Sequence, residues 1–239
     1  MPGGAAAIRE PWRMAVSWAL AAVGPDEATR IAAGLDPRWH NVLALATVAG
    51  SGGGAVLTTS AGRLFDAVAA LLGVRLHTSY EGQAAIELEM MARRVPQSQA
   101  PRYPVEVLGA GSGAALEVLD PGPLVATVLA EIERGTEPPV VAAGFHEGLG
   151  RATAELAARL ARRRGLDTVA LSGGVFQNVR LSNIVEDALL AEGLEVLVHE
   201  SIPPNDGGIS IGQAAIAALG TRPPVAAASG PGARSPATP

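Results

Sequence analysis

The residues of this chain best suited to chemistry sit at glycine-rich junctions. Ser172-Gly173-Gly174-Val175-Phe176-Gln177-Asn178 falls between a short apolar run and the start of a helical pattern. Two glycines there let backbone N–H groups approach a phosphate without side-chain obstruction, which makes the segment a candidate nucleotide site. The same pattern also makes a tight turn with no ligand, and the Lys of a P-loop is missing. A second junction, Pro203-Pro204-Asn205-Asp206-Gly207-Gly208, places Asp206 at the opening of a helix beyond a strand's carboxyl end. A carboxylate in that position can hold a metal or a Mg-nucleotide, and it can equally be a plain helix cap. A third group joins Ser60-Ala61-Gly62-Arg63-Leu64-Phe65-Asp66 to Tyr80-Glu81-Gly82-Gln83. Asp66 is polar within a mostly apolar helical face and Gly82 stands at the mouth of the next helix. Both positions suit the wall of a ribose or base pocket, although composition alone favours a structural role.

Other candidates carry less. His40, His77, His146 and His199 show no HxxxH or HExxH spacing, which argues against metal binding by histidine within this chain. His146, next to Phe145 in a long helical pattern, reads as a satisfied core or interface residue, with a crevice role as the alternative. Glu87 and Glu89 read as a solvated helix surface with a buried exception, and Arg162-Arg163-Arg164 as a solvated helix end that complements the dipole. The chain has no cysteine, so it has no disulfide and no thiolate ligand or nucleophile.

The elements that must position these residues come from hydrophobic periodicity. The first half reads as helices: one from Pro11 with Trp12, Val16, Ala19 and Leu20 inward, then Glu27 to Ala33 and Arg38 to Ala49, then a flexible loop at Ser51 to Gly54. Ser60 is the expected cap of a helix from Ala61 to Leu72 with Leu64, Phe65, Val68 and Leu72 on one face. A helix from Gly82 to Arg94 is expected to set Ile86, Leu88 and Met90 against a core. Val105 to Leu108 and Ala115 to Leu119 flank a glycine-rich turn as a candidate hairpin. The second half alternates: helix Pro139 to Arg164, strand Thr168 to Leu171, helix Asn178 to Ala191, strand Leu194 to His199, helix Gly207 to Leu219. That order predicts an α/β layer with parallel strands and a ligand crevice beyond their carboxyl ends.

Composition bounds the remaining possibilities. The 239 residues are 48% hydrophobic and 17% charged, enough to fill a core. A net charge of -5 offers no basic footprint for nucleic acid. No apolar run reaches the roughly 20 residues of a membrane span, and Met1 to Glu10 lacks a signal-peptide pattern, so the reading is a cytoplasmic protein without a membrane or nucleic-acid partner. The length suits one large domain or two small ones, and the Pro-, Ala-, Gly- and Ser-rich stretch 220–239 is expected to be a disordered tail.

Taken in order, Arg9-Glu10-Pro11-Trp12-Arg13-Met14-Ala15, SAGRLFDAVAALLG from Ser60, YEGQAAIELE from Tyr80, LSGGVFQN from Leu171 and PPNDGGISIGQAA from Pro203 resemble the hydrogenase-maturation carbamoyltransferase family HypF, in the C-terminal part of its members. The resemblance runs from about Pro2 to Leu219. It implies one lobe of an actin-like ATPase (ASKHA) fold, related to the tRNA threonylcarbamoyltransferases, that uses ATP or a carbamoyl-adenylate. It implies nucleotide or acyl-adenylate contacts at Asp66 and Gly82, phosphate and ribose contacts at Gly173, Gly174 and Asn178, and a metal ligand at Asp206. The metal would be iron, zinc or magnesium, with histidine ligands from an earlier lobe that this chain does not contain. The implied partners are that missing N-terminal lobe or chain, carbamoyl phosphate, and a HypE-type acceptor whose C-terminal cysteine receives the carbamoyl group. A non-catalytic nucleotide-binding or interaction module completed by another polypeptide is the alternative, and an actin-like sugar or acyl kinase is disfavoured because its base and phosphate loop would lie in the missing lobe.

Overall fold

Proline in the first helical turn, where its missing N–H costs nothing, sets several helix starts in the computed structural model of the chain, which describes residues 1–50, 56–109 and 116–220. After a short α1 (Ala6–Arg9), α2 (Pro11–Val23) buries Trp12, Met14, Ala15, Val16 and Ala19. α3 (Pro25–Ala33) begins two residues before the expected start because Pro25 takes the first turn, and α4 (Trp39–Gly50) follows. Trp12 is fully buried, with the Arg13 and Arg38 guanidiniums 5.1 and 5.2 Å from its ring. Glu10 ties the two cations together, pairing with Arg13 and accepting from Arg38 at 2.9 Å. The expected loop at Ser51 to Gly54 lies outside the described residues.

α5 (Ala61–Leu71) is buried from Leu64 onward, whereas the expected side-chain cap from Ser60 does not form. In α6 (Gln83–Ala92) the inward stripe is Ala84, Leu88 and Ala92 at i, i+4, i+8. Ile86 and Met90 are 48% and 57% exposed, so the expectation that they pack against a core is wrong. At 100° per residue they fall on the face opposite Leu88. β1 (Glu106–Leu108) and β2 (Val118–Asp120) pair antiparallel with Val107 opposite Leu119, as the hairpin reading requires, although its glycine-rich turn lies mostly outside the described residues.

α7 (Gly122–Glu133) was not anticipated, yet Leu124, Val125, Val128 and Leu129 recur at helical spacing behind Pro123. α8 (Pro138–Arg164) then runs 27 residues through the molecule. β3 (Thr168–Ala170), α9 (Val179–Ala191), β4 (Glu195–Leu197) and α10 (Ile209–Ala218) complete the expected alternation. β3 and β4 are parallel, Val169 opposite Val196, so the α/β layer exists with a two-stranded sheet. The expected tail lies, from residue 221 on, outside the described residues.

Helix α8 joins two cores. Its first half packs into the main one with α2, α5, α6 and α7, and Ala154, Ala158 and Ala161 pack with Leu171, Val185, Leu189 and Leu194 in the second. Its glycines allow the close approach. A methyl group at Gly144 would lie 2.6 Å from the Tyr103 ring, one at Gly148 2.4 Å from the Tyr103 carbonyl oxygen, and one at Gly150 2.5 Å from Ile184. A backbone carbonyl cannot rotate away as a side chain can. Gly148→Ala is therefore expected to destabilise the fold by about 1–3 kcal/mol in denaturant melts. Gly212→Ala on α10, with nothing within 4 Å, is the control and should stabilise by up to about 1 kcal/mol. Equal effects would contradict the packing described.

Candidate functional site

Three helix starts face one cleft of about 710 Å³. Its walls are Ser60 to Arg63 and Asp66 from the start of α5, Glu81 and Gly82 from the start of α6, and Gly174, Val175, Gln177 and Asn178 from the 3-10 turn Gly174–Gln177 that leads into α9. Asn205 and Asp206 close it from the loop before α10. Gly82 has φ 79°, a left-handed conformation natural to glycine, which turns the chain into α6. Neither Ser60 nor Gly82 caps its helix through a side chain; in the first turns Arg63 N donates to the Ser60 carbonyl and Gln83 N to the Tyr80 carbonyl, and among the described residues no side chain takes the other first-turn N–H groups.

Of the residues singled out from sequence, Asp66, Gly82, Gly174, Asn178 and Asp206 all reach this cleft. Gly173 does not line it. At φ 102° it donates its N–H to the Pro204 carbonyl at 2.8 Å, tying the two glycine-rich loops together behind the wall. The capping alternative for Asp206 falls to its neighbour: Asn205 Oδ1 accepts from Gly207 N at 3.0 Å, and Asp206 stays exposed. Gly208 is fixed by sterics, since a methyl group there would meet the Pro203 carbonyl at 2.6 Å.

Asp66 is 2% exposed, with Oδ2 2.6 Å from Arg63 Nη1. The contact is close, but neither atom finds a partner in hydrogen-bond geometry. Burial raises the Asp66 carboxyl to about 6, and Arg63 offsets only part of that. Asn178 caps α9 through Oδ1, which accepts from Leu181 N at 2.9 Å, and its Nδ2 lies 3.1 Å from His146 Nε2. Glu89, the buried exception foreseen on α6, accepts from Arg93 and from the Arg180 backbone N–H. Glu87 instead pairs with Arg75.

Sequence reading missed Arg180, whose buried Nη1 donates to the carbonyls of Ala92 and Val95 at 2.8 Å and so locks α9 onto the end of α6. A single arginine next to the Asn178 cap gives no periodic signal. Arg63 was visible only as part of its motif.

The implied metal finds little here. Among the described residues no group of three or more His, Cys, Asp or Glu side chains is placed to hold an ion, and one exposed carboxylate does not make a transition-metal site.

The fold is that of a known domain. The family model described as the carbamoyltransferase, Kae1-like domain, second subdomain, matches residues 1–213, and the chain belongs to that family. Its relatives are HypF proteins. The chain is 41% identical over 217 residues to the carbamoyltransferase HypF of Rhodobacter capsulatus, covering 90% of this chain and 26% of that protein. It is 40% identical to the HypF of Rhizobium leguminosarum bv. viciae, covering 91% and 26%. A crystal structure of full-length HypF in a phosphate- and nucleotide-bound form superposes with a TM-score of 0.78 at 32% identity, over 91% of this chain and 27% of that one. The chain thus spans about a quarter of the length of these relatives.

The Asp66 environment gives a signed pH dependence. Between pH 4 and 6 the folded protein holds a proton at Asp66 that the unfolded chain has lost, so this residue's contribution to stability falls as pH rises through that window. Asp66→Asn cannot ionise. Its stability relative to the wild type is expected to improve by about 2–3 kcal/mol from pH 4 to pH 7 in urea melts. A flat or falling difference would contradict the assignment.

Proposed function

We propose that this chain is the second lobe, residues 1–219, of a HypF-type carbamoyltransferase that matures [NiFe]-hydrogenase, and that its cleft binds ATP or the carbamoyl-adenylate made from ATP and carbamoyl phosphate. The observation that carries the reading is convergence. Asp66, Gly82, Gly174, Asn178 and Asp206, far apart in sequence, line one cleft, and the 32% identical full-length HypF was crystallised with phosphate and nucleotide. Three helix N-termini and a glycine-rich turn supply backbone donors and partial positive charge for a phosphate chain. Arg63 is the cation on the wall.

In this reading the carbonyl carbon of the carbamoyl-adenylate is attacked by the C-terminal thiolate of a HypE-type acceptor. The S–C bond forms, the C–O bond to phosphate breaks, and AMP leaves. The chain's own part is positioning and electrostatic stabilisation, because it has no cysteine and no side chain in the cleft is an activated nucleophile. Asp206 is the residue that the resemblance gives to a metal completed by the earlier lobe. The reaction is proposed to run in the cytoplasm, without nucleic acid or membrane; among the described residues no helix is long and apolar enough to cross a membrane.

A second reading is a nucleotide-binding module without turnover, completed by another polypeptide. It is favoured by α10, in which Ile209, Ile211 and Ile216 are about half exposed and no residue is buried, and by the two-stranded parallel sheet. Parallel sheets are normally covered on both faces, so each feature fits a covering partner.

Calorimetry with ATP tests the site. Wild-type chain is expected to bind, and Asp66→Ala and Asn178→Ala to lose about tenfold or more in affinity, each shown folded by circular dichroism. No binding by folded wild type would mean that this lobe alone does not carry the nucleotide site.

A further inference from the structure

His146 is completely buried in the first half of α8 and has no place in the function proposed above. Its ring packs edge-on against Phe65 of α5, centroid to centroid 5.3 Å, and against Phe145 of its own helix at 5.5 Å. Both ring nitrogens are engaged: Nδ1 lies 2.7 Å from the Ala142 carbonyl oxygen and Nε2 3.1 Å from Asn178 Nδ2. A carbonyl oxygen only accepts, so Nδ1 carries the proton. Nε2 is then the acceptor and the Asn178 amide its donor. Burial and the field of Arg180 on α9 hold the imidazole neutral, lowered to about 4 against the pull of the Ala142 bond, so the arrangement persists at neutral pH. On the other side of the amide, Oδ1 is taken by the Leu181 N–H.

We propose that His146 is a positioning residue for the cleft, fixing the Asn178 amide in the orientation that leaves one of its N–H groups for bound ligand. With Oδ1 held by the helix cap and one N–H on His146, the amide has a single N–H left, on a residue of the cleft wall. The ligand group it recognises is an acceptor, a phosphoryl or carbonyl oxygen. A flipped amide would set two donors, the Leu181 N–H and an Asn178 N–H, against each other, and two acceptors together at His146. The inference rests on the nucleotide reading for its ligand and on geometry alone for its bridge.

The test uses the full chain, with ADP as the probe and nitrogen-15-labelled histidine. His146→Leu removes the acceptor, His146→Gln restores one through its amide oxygen, and His146→Leu is also made in the Asn178→Ala background. His146→Leu is expected to weaken ADP binding about tenfold while the circular dichroism spectrum is kept, and His146→Gln to stay within about threefold of wild type. The double variant should bind no worse than Asn178→Ala. The wild-type spectrum should show a neutral ring protonated on Nδ1 from pH 5 to pH 8. Wild-type affinity in His146→Leu, full additivity in the double variant, or a ring protonated on Nε2 would overturn the proposal. A wild-type chain that ignores ADP yet keeps the Nδ1 proton would contradict the nucleotide reading and support the bridge.

Discussion

The close seat of helix α8 on the backbone of Tyr103 determines where everything else can go. Gly144 and Gly148 let that segment lie against the helix with no room for a methyl group between them. With α8 so placed, Phe145 meets Phe65 at 4.9 Å in an edge-to-face contact, and His146 reaches Asn178. Through those two residues one helix sets the start of α5 relative to the start of α9, both of which line the cleft. The second half of α8 carries the small sheet, whose carboxyl ends lead into the two glycine-rich loops. The architecture is a spine with the candidate site assembled at its middle.

The electrostatics of the cleft follow from which polar groups are already engaged. Glu89 is turned toward Arg93 and Arg180, and Asn178 is held by a helix start and an imidazole. Asp66 and Arg63 are close but imperfectly paired, and burial leaves the carboxyl less acidic than it would be in water. With no side-chain cap at the starts of α5 and α6, first-turn donors other than Arg63 N and Gln83 N are not taken by a cap. The pattern is a rigid frame with a few unspent donors, which suits a ligand that brings acceptor oxygens.

Most of the fold was legible because helices here announce themselves by periodicity and punctuation. Pro11, Ser60, Gly82 and the Gly173-Gly174 pair all mark real boundaries. α7 is signalled by Leu124, Val125, Val128 and Leu129, but it starts one residue after the hairpin's second strand, with no polar loop to set the two elements apart in sequence. Ile86 and Met90 were misread because α6 is apolar on more than one face, and periodicity alone does not say which face is covered. The cleft residues were found, but not their division of labour. That Gly173 ties loops together, that Asn205 rather than Asp206 makes the cap, and that His146 and Arg180 hold α9 from within are facts of side-chain geometry that spacing does not encode.

Hydrogen exchange on the full chain with and without ATP tests the central claim most directly, because it reports where a ligand sits as well as whether it binds. ATP should slow exchange at Ser60 to Arg63, around Gly82, and from Gly174 to Asn178, and leave the exposed α10 unchanged. Protection confined to α10 and the β3–β4 edge, or protection nowhere in a folded chain, would contradict a nucleotide cleft built from these three helix starts.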